Sequence, residues 1–175
     1  MTVALFVAGR AVALPKVASA RPAIKLTDGW ERELDLAKTT IPVIVIYEDK
    51  DDGNQNQTLK DELAALDKSI GYRKQILQLI VVDLTPYNYW PARGMAKNEI
   101  QKWSNKVGMI LYYDFTDTAR ATLGFTKAQS NVVLYDKAGA VQFAFAGALP
   151  TDKRKELADL IRAHMATLTP PPAAP

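Results

Sequence analysis

The densest set of coordinating groups in the chain is Glu48-Asp49-Lys50-Asp51-Asp52-Gly53-Asn54-Gln55-Asn56-Gln57, lying between an apolar run and a helical one. Carboxylates and amide oxygens this close together suit a hard cation such as calcium. A regular EF-hand loop wants oxygen ligands at its first, third and fifth positions, glycine at the sixth and glutamate at the twelfth. With Gly53 as the sixth, the first is Glu48, the third Lys50, the fifth Asp52 and the twelfth Leu59. Lys50 and Leu59 break that pattern. Two readings stay open: a less regular cation site, or a polar surface loop ahead of a helix. No metal-ligand set and no cofactor can be assembled from the spacing.

Other chemistries are narrower still. The chain has 0 cysteines, which excludes disulfide exchange, iron–sulfur clusters and cysteine-ligated zinc. His164 is its 1 histidine. It follows Leu157 by seven residues and Ile161 by three, so it borders an apolar helical stripe and reads as a packing residue. Lacking neighbouring ligands it is a poor metal site, and lacking a Gly-x-Ser-x-Gly elbow it has no serine to activate. No nucleophile, base and orienting group come together, so no catalytic residue is assigned. The aromatic cluster of Tyr87, Tyr89 and Trp90, interleaved with Asn88 and followed by Pro91, either forms a protein-binding patch or folds back over the core edge.

The elements that would position these groups follow from composition and periodicity. A chain of 175 residues, 48% hydrophobic and 23% charged, can bury a core. The 22 basic and 19 acidic residues leave a net charge of +3, and Lys153-Arg154-Lys155 is the single tight basic cluster. That excludes the concentrated basic face of a nucleic-acid binder. No stretch reaches the ~18 apolar residues of a membrane span. Residues 1–20 read as a signal-like or mobile N-terminal segment, with Ala18-Ser19-Ala20 in the small-x-small form cut before Arg21. Arg10 interrupts its apolar run and no positive charge precedes it. Periplasmic or other export is the expectation, with a cytoplasmic chain carrying an N-terminal arm as the alternative. Residues 21–168 form the expected domain, and 169–175 a Pro-rich tail.

Within the domain, Ile24-Lys25-Leu26 and Glu33-Leu34-Asp35-Leu36 flank an Asp28-Gly29 turn and predict a hairpin. Ile41 to Tyr47 and Ile76 to Val82 are continuous apolar runs, as in central strands covered on both faces. Between them Thr58-Leu59-Lys60-Asp61 has the form of a capping box for a helix to Ile70, stopped by Gly71. A helix over Met95–Lys106, a strand over Met109–Tyr113 and a helix over Asp117–Leu123 follow. Asp136-Lys137-Ala138-Gly139 joins a second hairpin, Asn131–Tyr135 with Ala140–Phe145. Thr151 or Asp152 should cap the last helix, with its stripe of Leu157, Leu160, Ile161 and Leu168. The fold class is α/β, a three-layer sandwich of a mixed sheet flanked by helices, with an N-terminal β-hairpin.

At this level the chain resembles the thioredoxin-like superfamily in its redoxin or peroxiredoxin-like branch. The opening hairpin around Asp28-Gly29 and the closing hairpin from Ser130 to Gly147 carry the likeness. Pro91-x-x-Gly94-Met95, then Ser130 through Gln142, then Gly147-Ala148-Leu149, are similar to the YtfJ-type exported thioredoxin-like family, which has no established function. The resemblance implies a reactive cysteine in the loop after the first central strand, and a cis-proline before the later hairpin. Here the first position falls among Asp49, Asp51, Asp52, Asn54 and Gln55, a degenerate redox-site loop. The second falls on Ser130 in the redoxin register or Asn131 in the thioredoxin register. Both hallmarks are gone. The expected function is that of a non-catalytic, exported protein-binding or structural module of the cell envelope. An enzyme or metal-binding protein using the 48–57 loop is the alternative.

Overall fold

The computed structural model describes residues 14–49 and 53–168. Asp51 and Asp52, the first thirteen residues and the Pro-rich tail lie outside the described residues.

Seven strands form one mixed sheet: β1 (Lys25–Asp28), β2 (Glu33–Asp35), β3 (Val43–Asp49), β4 (Leu77–Asp83), β5 (Leu111–Asp114), β6 (Asn131–Tyr135) and β7 (Val141–Ala146). Their spatial order is β2-β1-β5-β4-β3-β6-β7. The β3–β4 and β4–β5 pairs are parallel and the rest antiparallel. β3 is buried on both faces because its side chains alternate between two cores. Ile44 and Ile46 join the cluster under α1 (Gln57–Ile70), α2 (Ala92–Val107) and α4 (Thr151–Leu168). Val43, Val45 and Tyr47 join a second cluster with Ala119 and Leu123 of α3 (Thr118–Leu123) and the 3-10 turn 36–38. This is the expected three-layer α/β sandwich.

Local chemistry sets the turns. Asp136 Oδ1 accepts the amides of Ala138 and Ala140, both at 2.9 Å, which folds the β6–β7 hairpin. Asp28 Oδ1 does the same for Trp30 at 2.8 Å and Arg32 at 3.0 Å. Gly29 is required there by a close approach: a Cβ would stand 2.8 Å from Gln101 Cγ and 3.2 Å from its backbone nitrogen on α2. Gly29→Ala is therefore expected to push α2 off the hairpin and cost about 2 kcal/mol, read from urea unfolding.

Several expected boundaries move. α1 begins at Gln57, so Thr58 lies inside its first turn and the capping box does not form. Asn56 precedes the helix without capping it, since its amide is drawn elsewhere. Pro91 allows α2 to start at Ala92, ahead of Met95. β5 starts at Leu111 because the preceding residues close the end of α2: Gly108 sits at φ 66°, Met109 N donates to Ser104 O at 3.2 Å, and Leu111 N to Ser104 Oγ at 3.0 Å. Thr151 is already helical, and its hydroxyl accepts from Arg154 at 3.2 Å. At the open edge of β7, Ala20 bridges Ala140 and Val141 N donates to Ser19 O at 2.9 Å.

Candidate functional site

The end of β3, the start of α1 and the entry to β6 meet where the redoxin resemblance puts its thiol and its cis-proline. What fills that place is a set of amides. Gln55 Oε1 accepts the backbone N–H of Ser130 at 2.7 Å. Asn56, buried, donates to Gly147 O at 2.9 Å and accepts from Leu149 N at 2.8 Å. Ser130 O in turn accepts from Gly147 N at 2.8 Å. Proline has no N–H to give, so Gln55 and a non-proline residue at 130 go together. The one cis peptide among the described residues is Trp90–Pro91, in the loop between β4 and α2 and not at Ser130 or Asn131.

Asn131 is fully buried and structural. Its Nδ2 donates to Thr126 O at 2.8 Å and Gln129 O at 2.7 Å, and its Oδ1 accepts from Thr126 N at 2.8 Å. The backbone carbonyls of Ser130 and Gly147 and the amides of Ser130, Gly147 and Leu149 are thus all hydrogen-bonded at the site. Glu48 lies below, on the α1 side of the sheet, and pairs with Lys60 Nζ at 3.0 Å. Lys60 also donates to Gly53 O. Burial pushes the Glu48 carboxyl above the usual carboxylate range, and the Lys60 charge offsets only part of that.

On the other face Asp49, Asp83 and Asp114 stand in register across the carboxyl ends of β3, β4 and β5. Asp83 accepts from Thr85 N at 2.9 Å. Asp114 accepts from Thr116 N at 3.0 Å, Ala119 N at 2.8 Å and Arg120 N at 3.1 Å, so it fastens the start of α3. Tyr47 Oη donates to it at 3.3 Å. Asp114 does not announce itself as a cap in the sequence, because it lies in a strand, two to six residues ahead of the amides it holds. The nearer Asp117 instead takes a left-handed backbone, φ 63°, and pairs with Arg120. Among the described residues no three His, Asp or Glu side chains group as metal ligands.

The three loop aromatics separate. Tyr87 is half-buried and packs on the core cluster. Tyr89 and Trp90 are exposed at 61% and 90%, and Met95 in the first turn of α2 at 66%. His164 lines a shallow cleft of about 300 Å³ with Ile76, Leu134 and Leu160, next to the apolar stripe it was expected to border.

No family model and no curated protein matches the chain. Solved structures do. One assigned as a thiol:disulfide interchange protein DsbE from Chlorobium tepidum aligns over 86% of this chain and 99% of its own, at TM-score 0.63 and 18% identity. A thiol peroxidase from Chromobacterium violaceum covers 87% of this chain and 89% of its own, at TM-score 0.59 and 13% identity. The pneumococcal exposed lipoprotein thioredoxin of Streptococcus pneumoniae covers 81% and 98%, at TM-score 0.55 and 12% identity. Identities this low carry the fold and not the chemistry. The protein has a thioredoxin-like fold, without a cysteine to work it.

Proposed function

We propose that the chain is a non-catalytic thioredoxin-like module of the cell envelope that binds a protein partner through Tyr89 and Trp90. The observation that carries this is the 90% exposure of Trp90 beside Tyr89 and Met95, while the redox position is closed by hydrogen-bonded amides. Large aromatics left in water on a well-packed domain mark contact surfaces, since they bring much apolar area at little entropic cost. Residues 21–168 are the working module. Export is supported by the Ala18-Ser19-Ala20 form, and membership of the YtfJ-type family by the order of the motifs from Pro91 to Leu149.

Quantitative affinity capture from envelope extract tests this. The Tyr89→Ala/Trp90→Ala variant should lose a partner that the wild type retains, with binding weakened at least about thirtyfold, as for hot-spot residues. Its unfolding free energy should stay within about 0.5 kcal/mol of the wild type, because both side chains are exposed. Identical partners for both proteins would end the patch hypothesis.

The competing reading, a metal-dependent site in the 48–57 loop, meets a specific obstacle. The Lys60 ammonium already sits on Glu48 Oε2 and the Gly53 carbonyl, two oxygens a cation would want. Saturating calcium is expected to leave the melting temperature unchanged; a rise would favour that reading.

A further inference from the structure

β7 is the last strand of the sheet, and its sequence is that of an edge that pairs readily with another chain. Val141-Gln142-Phe143-Ala144-Phe145-Ala146 holds no charge and no proline. Native sheets cover such edges. Here the cover is short. Among the described residues the outer side of β7 is paired only at its start, where Ala20 bridges Ala140 in antiparallel fashion. Three backbone bonds hold this strap. Ala18 N donates to Val141 O at 2.8 Å, Val141 N to Ser19 O at 2.9 Å and Arg21 N to Gly139 O at 2.6 Å. Ahead of them the strap leaves the edge in a turn, where Ser19 N and Oγ donate to Lys16 O at 2.9 and 2.6 Å.

The strap is lightly held for what it covers. Val141 beneath it is fully buried, yet Val17 is 69% exposed and Ala18 and Ala20 are exposed as well. Ala18 also holds φ 68°, a left-handed backbone that a residue with a Cβ adopts at a cost. Leu14 is its apolar anchor, half-buried against the second core cluster. Arg21 serves as the hinge. Its Nη2 donates to Thr39 O at 2.6 Å and its guanidinium lies 6.0 Å from the Tyr135 ring centroid, so it stays when the residues before it leave. A strand supplied from outside could keep the bonds to Val141 and continue straight toward Ala146. The strap, turning away at Lys16, cannot make those further bonds.

We propose that the outer edge of β7 is a docking site for an extended, small-residue strand of a protein partner, with residues 18–20 as its displaceable internal occupant. Backbone pairing supplies the affinity, as in other cases of strand addition to a sheet edge. Ala18-Ser19-Ala20 shows the size of side chain that the seat beside Gly139 and Ala140 takes. Cleavage before Arg21, which belongs to the export reading above, empties the seat outright. Displacement needs no cleavage.

Amide exchange on the labelled full chain tests this, with the acetylated and amidated peptide Val-Thr-Val-Ala-Ser-Ala as the probe. At peptide concentrations on the order of millimolar the Ala18 amide should exchange about tenfold faster as the strap is displaced, while the Val141 amide stays protected. Ala18→Pro removes the donor to Val141 O and cannot take φ 68°, so it should detach the strap without peptide. Val141 exchange should then rise about tenfold or more, and the peptide should restore its protection. The proline-substituted peptide Val-Pro-Val-Pro-Ser-Ala should do neither. An Ala18 amide indifferent to the probe, an open Val141 that the probe does not protect, or an equal effect of the proline peptide overturns the proposal. So does a dimer of the Ala18→Pro chain in sedimentation, since the opened edge then takes a second copy. If that variant does not fold, displacement in the wild type decides alone. Every readout lies on β7 or the strap and needs neither export nor Trp90, so this proposal and the partner patch fail separately.

Discussion

Asn56→Ala is expected to destabilise the protein by about 3 kcal/mol and lower its melting temperature by about 10 °C. The side chain is buried and bridges Gly147 O and Leu149 N, which lie 91 and 93 residues away in sequence. Truncation deletes one hydrogen bond to each and leaves the half-buried Gly147 carbonyl and the buried Leu149 amide without these partners. The second loss outweighs the first, since an orphaned group keeps its whole desolvation cost. Urea unfolding with an unchanged slope would confirm a native-state effect. A loss under about 1 kcal/mol would mean that water reaches both groups, and that the site is less closed than its geometry indicates.

The other large effect belongs to Asp114→Ala, at about 3–4 kcal/mol. Three backbone amides and the Tyr47 hydroxyl converge on this buried carboxyl. It does the work of a helix cap for α3 from inside the sheet. Tyr47→Phe removes only one of these donors and should cost about 1 kcal/mol. In a double-mutant cycle the two substitutions should be clearly non-additive, because they share one bond. Additive values would mean that the 3.3 Å contact contributes little. Tyr47 itself stays neutral throughout: burial first, then Asp114, pushes its phenol far above the ordinary tyrosine range.

Much of the architecture was legible in the chain because it rests on local chemistry. The apolar runs of β3 and β4, the Leu59-Leu63-Leu66 stripe of α1 and the Asp-initiated turns each declare themselves within a few residues. The closed site was legible only as an absence. That Gln55 and Asn56 would fill it could not be read, because their partners are backbone groups 75 and more residues distant. The expected capping box at Thr58 failed for the same reason. A local rule predicts where a helix starts from its neighbours, and here the residue at its start answers to Gly147 and Leu149 instead. Tyr87, Tyr89 and Trp90 looked alike as sequence, and only the packing of Tyr87 on the core divides them.

The bond from Ser130 N to Gln55 also constrains how this sequence could change over evolutionary time. A proline at 130 would strand Gln55 and lose the amide it holds. A cysteine at 56 would cut the ties to Gly147 and Leu149 before gaining any partner chemistry. Each step toward disulfide exchange is thus a loss when taken alone, and the benefit arrives only when several are present together. The positions are epistatic. Several coupled substitutions therefore separate this chain from disulfide chemistry, while its exposed surface is free of that constraint.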